Sequence, residues 1–371
     1  MINYRDEKNT NPSTVAVALS GGCDSTLAAA LLIEQGWDVT GVHFLLPAPP
    51  EKREARSLSV KRVGERLKIP VVLINLDIAF SREVVAPFVE AYLSGLTPNP
   101  CVLCNEIIKF ETLFRYSEEH KISKISTGHY ATVKVGSNGA TQLWRGIDQR
   151  KEQSYFLHRL SVRHLERTLL PLGRMTKQQA KDLALKMELP NSSEPESQEI
   201  CFLPANDYRL FLEKERGGEI ARRGDVLTME GTKVGEHDGT YRYTVGQRHG
   251  LGIASRRAYY VSEIDPRNRR IIVGEKEDLL CTRVEAEGFN WLDEAPRYHR
   301  MRLHAQIRYR HRAASGRLEV LSPEEVGFEF DEPQWAVTPG QALVCYEGDR
   351  VIGGGWIRRS RNAHGALRMK V

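Results

Sequence analysis

Apolar and polar positions along the 371-residue chain change rhythm near residue 218. Before that point, short continuous apolar runs alternate with stretches of helical length. Residues 15–19, 38–46 and 70–76, and the brief Lys124–Ser126, predict strands of the kind buried on both faces of a sheet. Residues 26–35, 55–67, 82–93 and 105–119 predict the intervening helices. Such alternation predicts a doubly wound parallel sheet, whose ligand sits at the carboxyl ends of the strands. Residues 132–148 alternate around Ser137-Asn-Gly139 and predict a hairpin added to that sheet. Thr176 is a good N-cap for a helix running to about Met187, where Pro190 stops it. The aperiodic polar run 191–198 predicts a mobile loop. Beyond residue 218, short β runs separated by glycine turns, including 302–308, 317–321, 327–330, 342–346 and 351–357, predict small barrels.

The first apolar run ends in Ser20-Gly-Gly-Cys-Asp-Ser-Thr26. Gly21 and Gly22 permit a tight turn and close approach to an anion, and the helix that follows offers unpaired N–H groups and the positive end of its dipole. Ser20, Ser25 and Thr26 add hydroxyls, and Asp24 can hold a metal ion or a water beside phosphates. No Gly-Lys-Ser/Thr follows, so this is not the Walker pattern. S-G-G-x-D-S resembles the loop of the ATP pyrophosphatases, which cleave ATP between its α and β phosphates and use the AMP half to activate a carbonyl oxygen.

Composition changes this picture little, and charge somewhat more. No apolar run approaches the roughly 20 residues of a membrane helix, and residues 1–8 are polar and lack a signal-peptide core, so a cytoplasmic protein with no membrane partner is expected. The formal charge of +5 permits a polyanionic partner. After Arg256 the basic residues are arginine except Lys276 and Lys370, which suits phosphate forks and base stacking.

Six cysteines are too sparse for a disulfide scaffold. Cys101 and Cys104 stand at C-x-x-C spacing in Thr97-Pro-Asn-Pro-Cys-Val-Leu-Cys-Asn105, just before a predicted helix whose N-terminus would lower the Cys104 pKa. Cys201 follows in Ser197-Gln-Glu-Ile-Cys-Phe-Leu-Pro204. These thiols admit three readings. They are ordinary half-buried cysteines, or part of a zinc site that lacks an evident fourth ligand, or sulfur chemistry by persulfide exchange or a three-cysteine iron–sulfur cluster.

The chain resembles the tRNA-specific 2-thiouridylases, which replace the C2 oxygen of the wobble uridine with sulfur. The likeness spans nearly the whole length: S-G-G-x-D-S, Thr97-Pro-Asn-Pro with Cys104-Asn105 and Ile108-Lys-Phe110, Thr127-Gly-His-Tyr-Ala131, Lys151-Glu-Gln-Ser-Tyr-Phe-Leu157, Ser197-Gln-Glu-Ile-Cys-Phe202, Thr244-Val-Gly-Gln-Arg-His-Gly-Leu-Gly252, Ala336-Val-Thr-Pro-Gly-Gln341 and Gly353-Gly-Gly355. It implies an α/β parallel-sheet ATP-pyrophosphatase domain carrying the cysteines (1–205), a small, mostly β central domain (206–280) and a tRNA-binding C-terminal β-barrel (281–371). It implies Cys104 as nucleophile and Cys201 as persulfide carrier. ATP with Mg2+ would lie against Ala18, Leu19, Ser20, Gly21, Gly22, Cys23, Asp24, Ser25, Phe44 and Gly128, the Cys23 thiol itself going to packing. The tRNA would meet Asn99, Pro100, Cys101, His129, Lys151, Glu152, Gln153, Arg308, Tyr309 and Gln341. Taken singly, His129, Tyr155 and Phe156 also read as core residues, and 308–312 as a solvated strand face.

Two departures stand out. Cys101 replaces an aspartate present in many members, and the acidic segment after the second strand is shortened to 47–55, with Ser59 where an acid is common. The implied reaction adenylates the C2 oxygen and then replaces it, with sulfur supplied by a persulfide or sulfide donor protein. Its alternative uses an iron–sulfur cluster on Cys101, Cys104 and Cys201. Other readings are an ATP pyrophosphatase acting on a small molecule and a non-catalytic tRNA-binding protein.

Overall fold

The computed structural model describes residues 13–193, 200–203, 207–292, 300–362 and 367–368. These divide between two compact units, one drawn from Met1–Val84, Cys101–Gln198 and Asp349–Val351, the other from Val85–Pro100, Glu199–Gly348 and Ile352–Val371. The expected mobile loop at 191–198 lies outside the described residues from 194 onward.

The first unit is built on a parallel sheet. Strands β1 (Thr14–Ala18), β2 (Asp38–Leu45), β3 (Val71–Asn75) and β4 (Lys124–Ser126) fall where the apolar runs predict, and β7 (Thr168–Leu169) completes the order β3-β2-β1-β4-β7. Val15, Ala16 and Val17 are wholly buried, as a central strand covered on both faces requires. At Gly41 a Cβ would lie 2.5 Å from a Leu19 methyl, so the missing side chain lets Leu19 cross the neighbouring strand.

Helix α1 (Cys23–Glu34) starts three residues before the predicted position, with Gly22 as N-cap. The polar Cys23-Asp-Ser triplet forms its first turn instead of a loop, because Ser25 Oγ and Thr26 Oγ1 donate to the Gly22 carbonyl at 3.1 and 3.0 Å. Helix α2 (Pro50–Leu67) likewise begins early, at a proline that suits the first helical turn.

The hairpin β5 (Ala131–Val135) and β6 (Thr141–Arg145) forms around the expected turn but does not extend the parallel sheet. Thr168 and Leu169 pair with Ile125 and Ser126 at that edge instead, and Trp144 on the hairpin pairs with Arg350. The turn Pro171–Arg174 lies over the hairpin so closely that a Cβ on Gly173 would overlap the Ala131 carbonyl.

In the second unit, the strands Tyr260–Asp265, Arg270–Gly274, Gly224–Thr228 and Lys233–His237 form one four-stranded sheet. A closed six-stranded barrel runs through Leu280–Trp291, Glu325–Trp335, Ala314–Ser322, Arg300–Gln306, Ala342–Glu347 and Arg350–Asn362, the last pairing back onto the first. Phe328, Val284, Leu318, Leu343 and Cys345 fill its centre. The helix Ala86–Leu93 packs Phe88, Val89 and Tyr92 against Leu203, Phe211, Leu212 and Tyr241. Among the described residues no helix is long and apolar enough to cross a membrane.

Candidate active site: a phosphate loop and two thiols

The loop Leu19–Gly22 leaves the sheet at the carboxyl end of β1. Its conformation is set by its own hydroxyls. The Ser20 N–H donates to Ser25 Oγ at 3.1 Å, the Ser20 and Ser25 hydroxyls lie 3.1 Å apart, and the Gly22 N–H donates to Ser20 Oγ at 3.3 Å. Gly21 has φ +83°, a conformation that costs glycine nothing. From behind, Asn191 Nδ2 donates to the Gly21 carbonyl (2.6 Å) and to Ser59 Oγ (2.7 Å), and Ser59 itself donates to Gly21 at 3.2 Å. Ser59 thus braces the loop as a neutral donor.

Gly128 lies directly against this turn, since a Cβ there would stand 2.8 Å from the Asp24 carbonyl carbon and 2.9 Å from the Ser25 nitrogen. Ala18 pairs with Val42 and Phe44 with Ile74, so Leu19 and Phe44 emerge at the same end of the sheet. The Leu19 carbonyl accepts a hydrogen bond from His43 Nδ1 at 2.7 Å, which fixes that ring's tautomer with Nε2 as acceptor. Burial holds the His43 pKa below its ordinary value, against the opposing Leu19 bond. The Cys23 side chain packs against the cluster of Leu27, Ala28 and Leu172, and burial first, then Asp24, raises its pKa.

Asp24 is held by two side chains from other segments. Lys177 Nζ donates to its two oxygens at 2.7 and 2.6 Å, and Tyr130 Oη donates to Oδ1 at 2.8 Å. Tyr130 is anchored in turn by Gln153, whose side chain accepts from the Tyr130 N–H at 3.0 Å and whose N–H donates to the Tyr130 carbonyl at 2.8 Å. Glu152 is 6% exposed and accepts from Arg145 (2.9 Å) and from the Ser154 N–H and hydroxyl. Burial pushes its pKa up, against the lowering by Arg145 and Ser154. Lys177 and Tyr130 escaped the sequence reading. A signal was present, because a lysine in the first turn of a helix opposes the dipole and so calls for another reason to be there.

His129 is partly buried, with Nδ1 2.8 Å from Thr127 Oγ1 and its ring against Phe110. Burial, reinforced by the charge of Lys109, lowers its pKa to about 3, so it is neutral at physiological pH. Tyr155 is wholly buried, a core residue, and Lys151 and Phe156 are partly buried.

Cys104 is buried and belongs to the first unit. It does not precede a helix. The helical segment begins at Pro100–Leu103, continues as the π-helical stretch Cys104–Phe110 and ends in Glu111–Glu119. The dipole effect fades within the first turn, and that turn holds the half-buried Cys101 and not, as expected, Cys104. The next residue, Asn105, donates to the Phe156 carbonyl at 3.2 Å, and Glu106 pairs with Arg159 through two bonds of 2.5 and 3.1 Å.

Cys201 belongs to the second unit and is exposed. Its turn is pinned by Phe202, whose ring lies edge-on 5.2 Å from both Phe88 and Phe211, and by a bond from the Leu203 N–H to the Ile200 carbonyl. In the same unit Asn99 is partly buried and Pro100 buried. Gln341 Nε2 donates to the Thr97 carbonyl at 2.8 Å, and the Thr97 N–H donates to Pro339. Arg308 donates to the Trp335 carbonyl at 3.2 Å, and its neighbour Tyr309 is partly buried. Among the described residues no three His, Cys, Asp or Glu side chains converge as metal ligands.

Residues 13–205 match the family described as "tRNA methyl transferase HUP domain", 210–275 its "PRC-barrel domain" and 282–357 the "Aminomethyltransferase beta-barrel domain". The chain is 43% identical to the tRNA-specific 2-thiouridylase MnmA of Geobacter metallireducens, covering 92% of this chain and 96% of that one. It is 41% identical to the MnmA of Carboxydothermus hydrogenoformans over 93% and 97% of the two chains. A solved structure titled as a predicted subunit of tRNA methyltransferase from Methanocaldococcus jannaschii covers 55% of this chain and 88% of that one at 19% identity and a TM-score of 0.32. Identity at this level over this coverage establishes that the chain belongs to the tRNA-specific 2-thiouridylase family.

Proposed function

We propose that this chain is a tRNA-uridine 2-sulfurtransferase that consumes ATP to replace the C2 oxygen of the wobble uridine with sulfur. The observation that carries the reading is the S-G-G-x-D-S turn, folded at the carboxyl end of β1 and closed by the Gly128 backbone. A uracil oxygen is a poor leaving group. Its attack on the α-phosphate of ATP expels pyrophosphate into the 20–25 loop, whose N–H groups and hydroxyls oppose the developing charge. Magnesium arriving with the phosphates would shield charge beside Asp24. A methyl transfer, which the domain descriptions mention, would leave this loop without a task.

Cys201 carries the incoming sulfur as a persulfide. Its exposed position on a pinned turn supports delivery by a donor protein. The terminal sulfur attacks C2 and AMP leaves with the former C2 oxygen. Attack of the Cys104 thiolate on the inner sulfur then frees the thiocarbonyl and forms a Cys104–Cys201 disulfide, which an external thiol reductant must open. In the other order, Cys104 attacks first and releases hydrosulfide, which attacks C2. The tRNA presents its uridine from a loop, since bases within an A-form helix cannot be read.

The test is mass spectrometry of the wobble uridine after incubation of tRNA with ATP, protein and either persulfide or sulfide, with and without iron. Thiolation with persulfide and no iron is expected. Cys104→Ser and Cys201→Ser should each abolish it while tRNA affinity stays within about twofold, or about 0.4 kcal/mol. Appreciable thiolation by either variant would remove that cysteine's role, and a strict iron requirement would favour the cluster route.

A further inference from the structure

The ammonium of Lys177 sits 2.6 Å from Asp24, which occupies the first turn after the glycine pair. Local helix energetics do not explain it, because the positive end of its own helix opposes a cation there. The position is nevertheless fixed from several sides. Thr176 and Gln179 close a capping box around the start of Lys177–Lys186, and the Lys177 N–H donates to Asp148 Oδ2 at 2.9 Å. The ammonium also lies 5.5 Å from the centre of the Tyr130 ring, and Tyr130 is clamped by Gln153. The Lys177 side chain remains 22% exposed, within reach of solvent.

Asp24 creates the need for this cation. A carboxylate in the first turn of α1 suits the helix, but it repels any polyphosphate entering the Gly21-Gly22 turn. A lysine aimed at it from another element cancels that repulsion and, being a point charge on a flexible stem, can re-aim by a few ångströms without moving the backbone.

We propose that Lys177 is a pyrophosphate-binding residue of this loop, its ammonium exchanging an Asp24 oxygen for an oxygen of the β-phosphate while Tyr130 keeps its hydrogen bond to Asp24. This rests on reading the loop as an ATP site, and its ligand class is the pyrophosphate half of ATP rather than the adenosine half. No covalent step is involved.

The experiment measures binding of inorganic pyrophosphate and of AMP, each with Mg2+, to the full chain by calorimetry. Lys177→Gln should weaken pyrophosphate by about tenfold or more, the loss of one charge-assisted hydrogen bond, and leave AMP within twofold. Lys177→Arg should retain part of the affinity. The double variant Asp24→Asn, Lys177→Gln separates contact from mere neutralisation, since with the acid also removed pyrophosphate should remain weak. Full recovery in the double variant, equal losses for pyrophosphate and AMP, or an unchanged Lys177→Gln would each overturn the proposal. Absence of pyrophosphate binding in the unmutated chain would overturn the reading of the loop itself. Failure of thiolation with the pyrophosphate result intact would strike the sulfur chemistry and leave the lysine's role standing.

Discussion

Three buried or half-buried histidines have strongly lowered pKa values, and they contribute to how the protein responds to acid. His158 is wholly buried, and its Nδ1 donates to the Tyr155 carbonyl at 2.7 Å. Burial lowers its pKa to about 3, that of His129 to about 3 and that of His311 to about 4, against roughly 6.5 for an unfolded histidine. The unfolded chain therefore binds protons more tightly between those values. The stability these groups contribute is complete above pH 6.5 and declines as pH falls from there toward 3. Urea midpoints measured from pH 7.5 to 5 should fall steadily, and His158→Gln should flatten that decline; an identical slope in the variant would remove His158 from the account. At this scale the sequence was a good guide to side chains that act on their own neighbourhood, such as Ser20 and Ser25. It was a poor one for partners brought from afar. Lys177 and Asn191 reach the loop from more than a hundred residues away; the lysine's unfavourable place in a first helical turn calls for a partner, but nothing in local spacing says which one. Glu152 and Gln153 lie in the segment expected to meet tRNA, yet their side chains brace Arg145 and Tyr130.

Among the elements, the parallel strands were legible because each is a continuous apolar run, and the helix from Lys177 was legible because its cap is spelled out by Thr176 and Gln179. The destination of the 131–145 hairpin was not, since alternation fixes which face of a strand is buried but not which sheet it joins. The π-helical stretches Ser81–Val85 and Cys104–Phe110 were equally hidden, because over so few residues a wider turn leaves almost the same apolar spacing as an α-helix. The packing of α1 against Gly128 makes a direct prediction. Gly128→Ala forces a methyl to within 3 Å of the backbone at Asp24 and Ser25, which cannot yield as a side chain would. Overpacking of this kind costs about 1–3 kcal/mol. The expected result is a KM for ATP raised roughly five- to a hundredfold, with tRNA affinity little changed. An unchanged KM would mean that the nucleotide does not use this turn.

For the molecule as a whole, the arginine-rich second half is less bare a cation surface than its composition implies. Arg283 and Arg300 share Glu319, Arg302 pairs with Asp331, and Arg358 is surrounded by Glu285, Glu287 and Glu325. Charge already paired within the protein releases fewer counterions on binding. The affinity for tRNA should therefore fall with salt, as log K against log salt with a slope of about −0.7 to −0.9 per phosphate contact, but with far fewer contacts than the chain has arginines. Filter binding across a salt series measures this, and a flat line would exclude phosphate-dominated binding. The order in which the strands occur along the chain has a further effect, on biosynthesis. Trp144 must wait for Arg350, and the barrel's first strand must wait for its last, Arg350–Asn362. At synthesis rates of about 5–20 residues per second, the hairpin edge at Trp144 stays unpaired for roughly 10–40 s. During that interval a nascent chain of this protein presents an open β edge to its surroundings, and a ribosome that stalls before Arg350 would prolong the exposure.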